Sequence, residues 1–305
     1  MQFDIRALDR AVSGKSMPRL GVDDQAEGLR RMLVSNQTEI LALVSGRRAS
    51  GRTSVTLNLA AALSKAGRDV LILDENPAPH NLTDSLGLLA RLDLLDVIRG
   101  KCQLVDAVVG AYGCSILPTA RLMRALPTLN ANEQGRLEEI LLEAANGVDV
   151  MLVDAAMLDE TTSLALSPNV RMLVVMDATS SGITQNYAMI KRLALEQARS
   201  RFEILVNRVA DEKTARLVYG NIEKVAKTHL AVELEYMGCI PQDDRLKRST
   251  QLGRAVVEAF PAAASARSCI ALSQSALNMK SQQGLQGISQ MMRTLIGQLR
   301  RQHLA

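Results

Sequence analysis

The chain reads as a single α/β domain, a doubly wound and mostly parallel sheet with helices on both faces. Three observations predict this. Short, continuously apolar runs recur from residue 38 onward ("EILALVSG", "DVLILDEN", "VDVMLVDA", "VRMLVVMDA", "FEILVNRV", "YMGCIP"), with helical pattern between them. Strands apolar on both sides belong to a parallel sheet that is covered on both faces. Several runs close on an acid or amide (Asp74, Asp154, Asp177, Asn207), which lines these groups along the sheet's carboxyl edge, where open α/β sheets bind ligands. Finally, 305 residues without an internal repeat are enough for one large core.

The elements follow in order. Residues 1–22 carry Gly14, Pro18 and Gly21 among charges and read as a flexible leader. Residues 23–36 predict a short amphipathic helix: Asp23 or Asp24 caps it, and Glu27 stands in capping-box register with Asp24. Ala26, Leu29 and Leu33 share one face, and Ser35–Asn36 ends the pattern. Residues 37–280 hold the alternating strands and helices, beginning with "EILALVSG", a helix "SVTLNLAAALSKAG" stopped by Gly67, and a strand through Asp74. No acidic residue follows Glu258. In residues 281–305, Ile288, Met291, Met292, Leu295, Ile296 and Leu299 keep helical spacing and predict a terminal amphipathic helix with a mildly basic polar face. Two uses of its apolar face stand open: contact with a membrane or partner, or packing on the domain.

Composition narrows the function classes. Aromatics are 2% with no Trp, so the core is aliphatic and a base-stacking platform for nucleic acid is poorly supplied. A net charge of +4 does not by itself mark a nucleic-acid binder. Cys102, Cys114, Cys239 and Cys269 lie far apart, and His80, His229 and His303 are scattered, which argues against a zinc site or a catalytic histidine. The first ten residues lack a signal-peptide apolar region, and no apolar run approaches the ~18 residues of a membrane span. A cytoplasmic protein is expected, with peripheral contact at the inner membrane if the terminal helix faces lipid.

The chemistry sits in "SGRRASGRTS", residues 45–54. A phosphate loop points successive backbone N–H groups inward at a helix N-terminus, while a lysine reaches the β/γ-phosphates and a Ser/Thr hydroxyl holds Mg²⁺. Gly46, Gly51 and the Thr53–Ser54 pair keep that frame, and Arg52 takes the lysine's place. Spacing alone leaves both a phosphate site and a bare strand–turn–helix open.

The loop resembles the deviant phosphate loop of the MinD/ParA ATPases, SGKGGVGKTT. Within that family the chain most resembles the FlhG/FleN group, regulators of flagellar number and placement. "DQAEGLRRM" resembles the DQAxxLR helix by which FlhG proteins stimulate the GTPase FlhF, and it is the specific marker. "LLDVIRGKCQLVDAV", "SILPTARLMRAL", "VDVMLVDAA", "ILVNRV" and "YMGCIPQDDRLKRSTQLGRAVVEAFPAAASA" extend the likeness over roughly residues 23 to 305. The resemblance implies ATP and Mg²⁺ as cofactors, with Gly46, Arg47, Gly51, Arg52, Thr53, Ser54, Asp74, Asp154, Asn207 and Arg208 at the nucleotide and Thr53 and Asp74 at the metal. It implies FlhF as partner through Asp24, Gln25, Ala26, Leu29 and Arg30, further contacts with basal-body or transcription-regulator proteins, and a homodimer.

The departures from the family pattern fall inside the site. Arg47 stands at the signature lysine that reaches the partner's nucleotide, Arg52 at the phosphate-loop lysine, and Arg48 and Ala49 at glycines. Asn76 replaces the acid that positions the attacking water, and "DAAML" puts Leu158 where a glycine would meet the γ-phosphate. Arg is no isostere of Lys in a nest built for an ammonium, and Asn cannot act as a general base. An FlhG-type regulator with weak or absent hydrolysis is therefore expected. An active ATPase switch dimerising on ATP at the membrane and a ParA-like positioning protein are the alternatives. Thr53, Asp74 and Asp154 are nucleotide contacts or merely caps and strand-end polar groups. Asn207 is an adenine-side residue or a buried amide serving loop backbone. The loop arginines hold an anion or form a solvated face.

Overall fold

The computed structural model describes residues 38–158, 162–167, 170–278 and 285–302. The expected helix at 23–36, with Asp24, Gln25, Ala26, Leu29 and Arg30, lies outside them, as does the leader. The apolar runs become strands β1 (Glu39–Val44), β2 (Val70–Asp74), β5 (Val150–Asp154), β6 (Arg171–Asp177), β7 (Arg201–Val209) and β8 (Glu233–Pro241). Two further strands, β3 (Val109–Ala111) and β4 (Cys114–Pro118), were not anticipated. All eight join one sheet in the order β3-β4-β2-β5-β1-β6-β7-β8, parallel except for the antiparallel β3–β4 pair.

Alternating side chains explain why helices cover both faces. Ile40, Ala42 and Val44 of β1 enter one apolar core, whereas Leu41 and Leu43 enter another on the opposite side. Helices α2 (Ala131–Ala145), α3 (Ser180–Gln197), α4 (Glu212–Leu230) and α6 (Leu285–Gln302) supply the first core through residues such as Leu137, Ile190, Ile222 and Met291. Helices α1 (Arg52–Lys65) and α5 (Ala264–Asn278) close the second through Leu59, Leu63, Cys269 and Leu272. From β1 the chain first builds toward β2 on one side and later toward β6, β7 and β8 on the other. Beyond the carboxyl end of β1 the sheet therefore opens a crevice, and the loop at residues 45–51 sits there.

The β3–β4 hairpin turns on Tyr112 and Gly113, both at positive φ (52° and 73°), as a two-residue hairpin loop requires. Tyrosine at such a position is uncommon, so the turn was not legible. The four cysteines are free thiols, as expected.

The terminal helix forms where its spacing placed it, but its apolar face is not available to lipid. Ile288, Met291, Met292 and Leu295 are fully buried in the first core, Ile296 packs against it, and the side chain of Leu299 lies outside the description. Packing on the domain, chiefly on α2, is the use the structure makes of this face. The physical reason is that the amphipathic α2 buries Leu137, Ile140 and Leu141, and a neighbouring apolar stripe completes their enclosure. Among the described residues no helix is long and apolar enough to cross a membrane.

Candidate nucleotide site

The loop between β1 and α1 is held from two sides. Toward β6, the Gly46 amide donates to Asn186 Oδ1 at 2.9 Å, and a Cβ on Gly46 would stand 2.3 Å from the Gln185 carbonyl oxygen. Only a glycine lets the loop run this close to the start of α3. Toward β7, Asn207 Nδ2 donates to the Ser50 carbonyl at 2.8 Å, and Arg208 Nη1 to the Ala49 carbonyl at 2.8 Å. Gly51 opens α1 in the left-handed conformation (φ 87°), and a Cβ there would lie 2.4 Å from Asn207 Nδ2. Ala49 is also left-handed at φ 58°, so one of the two replaced glycines has kept a glycine-like backbone; Arg48 has not.

At the centre lies Arg52, a buried residue only 9% exposed. Its Nε donates to Asp154 Oδ1 at 2.8 Å and its Nη2 to Asn76 Oδ1 at 2.6 Å. Asp154 is fully buried and also accepts from Thr56 Oγ1 at 3.3 Å on Oδ1. Its Oδ2 accepts from Thr53 Oγ1 at 2.7 Å and Asn76 Nδ2 at 2.9 Å. The Asn76 amide reaches Asp74 Oδ1 as well, at 3.1 Å, while the Leu82 amide donates to Asp74 Oδ2 at 2.6 Å. Burial, and then the neighbouring Asp154 charge, push the Asp74 carboxyl up to about 7.

Asp74 and Asp154 meet because β2 and β5 pair in register with these residues opposite one another. Glu75, one residue on, carries the contact to the loop beyond β5. Its carboxylate accepts the Ala156 amide at 3.0 Å and the Leu164 amide at 2.8 Å, and burial raises its carboxyl to about 7.

Gly46, Gly51, Arg52, Thr53, Asp74, Asp154, Asn207 and Arg208 are thus brought together as expected, with Ser54 on the wall of the neighbouring cavity. Arg47 instead folds back on its own chain, Nη1 lying 2.9 Å from Asp177 Oδ2 and 3.0 Å from Thr179 Oγ1. Asn207 is the amide that serves loop backbone while also lining that cavity. Three contributors were missed: Glu75, Thr56 and Asn186. Glu75 had a signal, a charge directly continuing a wholly buried strand; Asn186 is brought near only by the packing of α3.

The donor set tests which groups the site can take. A carboxylate offers about four lone-pair sites; Arg52 Nε and Thr53 Oγ1 donate to Asp154, while Thr56 Oγ1 shares its one proton with the Arg52 carbonyl at 3.1 Å and Asn76 Nδ2 divides its two between Asp154 and Asp74. Thr53, the hydroxyl expected on Mg²⁺, donates its proton to the same carboxylate and keeps its oxygen lone pairs, and the Arg52 guanidinium lies between Asp154 and Asn76. Thr53 and Asp74 would hold a Mg²⁺ ion only beside bound phosphates, which supply most of its ligands. Among the described residues no group of three His, Cys, Asp or Glu is placed to hold a metal. A phosphate-bearing group fits the loop. The first turn of α1 has no side-chain cap, and a cavity of about 420 Å³, lined by Gly51, Ser54, Asn207, Arg208 and Pro241, opens beside it.

A strand, a glycine turn and a long helix, faced by carboxylates from two adjacent strands, define a phosphate-loop nucleotide-binding fold. Residues 41–256 match the family model of the CobQ/CobB/MinD/ParA nucleotide binding domain. The antiactivator FleN of Pseudomonas aeruginosa is 33% identical over 236 residues, which cover 76% of this chain and 84% of FleN. The flagellum site-determining protein YlxH of Helicobacter pylori is 28% identical over 217 residues, 69% of this chain and 72% of YlxH. The MinD cell division protein of Aquifex aeolicus superposes with a TM-score of 0.62 at 25% identity, covering 80% of this chain and 98% of that one. The chain belongs to the MinD/ParA family, in its FlhG/FleN branch.

Proposed function

We propose that the chain is a regulator of flagellar number and placement that acts through protein contacts and hydrolyses ATP weakly or not at all. The observation that carries this reading is the closed Arg52–Asp154–Asn76 network. An acid in the place of Asn76 would orient and deprotonate the attacking water. The amide cannot take a proton, and both its ends are engaged, the oxygen on Arg52 and the nitrogen on two aspartates. Nucleotide retention is compatible with this site; efficient turnover is not. A homodimer in which Arg47 reaches the partner's nucleotide would first have to release Asp177.

The output runs through residues 23–36. Their resemblance to the DQAxxLR helix supports FlhF as the partner, with Leu29 and Leu33 as apolar anchors and Gln25 and Arg30 as directional groups. A water-orienting amide and a charge-stabilising guanidinium suit the acceleration of GTP hydrolysis. The test is a GTPase assay with the cognate FlhF. A peptide of residues 20–36 is expected to accelerate hydrolysis, and Gln25→Ala or Arg30→Ala to lose most of that effect. Steady-state ATP turnover of the full chain is expected near background. Turnover at the rate of ordinary family members, abolished by Asp74→Ala, would replace this reading with the active switch. A full chain that neither binds FlhF nor changes its rate would remove it altogether.

A further inference from the structure

We propose that the groove between the helix Asp244–Gln251 and the turn at Phe260–Pro261 is a docking site for an acidic segment of a partner protein, one that carries a large apolar side chain between its acids. The groove is separate in sequence from residues 23–36, so it stands or falls independently of the FlhF contact.

The charge is written in the sequence. Beyond Asp243 the acids are Asp244 and Glu258, against Arg245, Lys247, Arg248, Arg254 and Arg267 in the same stretch. Glu258 is paired with Lys65 at 2.9 Å, and Asp243 accepts the Arg245 amide, the Ser265 amide and Ser265 Oγ. Arg245 and Arg248 are three apart on the helix, hence on one face, and both line the groove. Both are exposed, and among the described residues neither has an ion-pair partner; Arg245 acts on Asp243 only as a nearby charge. Arg267 joins them at the rim, its Nη1 donating to the Ala262 carbonyl at 2.7 Å. Three arginines thus face one acid, Asp244. Arg248 in the last turn suits the helix dipole, but Arg245 lies in the first turn, where the dipole disfavours a cation. Helix stability therefore does not account for Arg245.

The shape selects the class of partner. Ala259, Phe260, Pro261 and Ala262 form the apolar side of an open groove of about 600 Å³. Phe260 is half-buried and packs on the second core, which fixes this floor, and the small alanines beside it leave the depression. A bilayer takes up apolar groups that project from a surface, not groups recessed below a charged rim. A phosphodiester backbone has no apolar group to seat there, and a stacking platform for bases is lacking. A peptide supplies both parts: carboxylates meet guanidinium forks in bidentate geometry, and an apolar side chain between them fills the floor. Exposed ion pairs contribute little each. The apolar anchor therefore supplies most of the affinity, and the arginines supply selection and rate of encounter.

The test is fluorescence anisotropy of the full chain with a labelled synthetic peptide, a leucine flanked on both sides by glutamates. Two controls accompany it: the same peptide with glycine for the leucine, and one with lysines for the glutamates. The leucine–glutamate peptide is expected to bind tighter than either control by about tenfold or more. Its affinity is expected to fall about fivefold as ionic strength rises from about 0.05 to 0.3 M. Arg245→Glu combined with Arg248→Glu is expected to weaken it by about tenfold or more. Ala262→Leu, which fills the groove from an exposed position, is expected to bring it to the level of the glycine peptide. Both variants change exposed side chains, and an unchanged thermal midpoint verifies that they fold. If the charge reversal does not fold, Ala262→Leu and the wild-type comparisons still decide. No binding, equal binding of the leucine and glycine peptides, or a folded charge-reversal variant within about twofold of wild type overturns the inference. Phosphatidylglycerol vesicles or duplex DNA that bind tighter than the peptide, and lose binding on the same reversal, also overturn it, because the patch then serves lipid or nucleic acid.

Discussion

Gly51 shows how a single residue sets the site. Its backbone is left-handed, and its missing Cβ leaves room for the Asn207 amide that restrains Ser50. Alanine here would incur both the left-handed penalty and a displaced, buried hydrogen bond. Gly51→Ala is expected to cost about 2 kcal/mol of unfolding free energy in a denaturant titration. A change within error would mean the loop does not depend on this approach. Arg52 is the complementary case. As a letter in the chain it departs from a lysine pattern, and its chemistry was legible that far. That its guanidinium would pair with Asp154 depends on two strands pairing in register, which no local pattern displays.

Among the elements, α6 changes most between expectation and structure. Its spacing was plain, yet an apolar stripe beside basic residues describes a lipid-facing helix and a core helix equally well. The choice was made by α2, whose own stripe needs cover. Leu295→Ala is accordingly expected to destabilise the protein by about 2–5 kcal/mol, the range for a buried leucine that leaves a cavity. Its effect on co-sedimentation with anionic vesicles should be nil. Unchanged stability with lost vesicle binding would reverse the assignment. The β3–β4 hairpin is the second surprise among the elements: three- and five-residue strands are too short for a periodicity argument, and their turn uses Tyr112 in place of a usual turn residue.

The whole molecule carries buried acid within its frame, and that makes stability depend on pH. Glu75 is raised from 4.5 to about 7 by burial, and Asp74 is raised in the same direction. An acid raised on folding contributes stability that is complete below its unfolded value and is lost as pH climbs through the folded one. Stability attributable to Glu75 should therefore decline between about pH 4.5 and 7, by roughly 3 kcal/mol. The thermal midpoint is expected to fall as pH rises across that window, and Glu75→Gln to flatten part of the slope, with Asp74 keeping the rest. A midpoint that instead rises toward pH 7 in the wild type, and is unaffected by Glu75→Gln, would refute the assignment.

Continuous apolar runs ending in acids and amides determined the parallel α/β sheet, and the frame "SGRRASGRTS" determined where on it a phosphate site must lie. Those are short-range properties, because strand period, glycine spacing and helix start are all written within about ten residues. Tertiary structure alone decided that Arg52, Asn76 and Asp154 form one closed network, that Glu75 ties down the loop after β5, and that Met291 and Leu295 face the core. Each of these depends on which surfaces meet after the sheet is assembled, and a side chain's partners are fixed by residues that can be more than a hundred positions away.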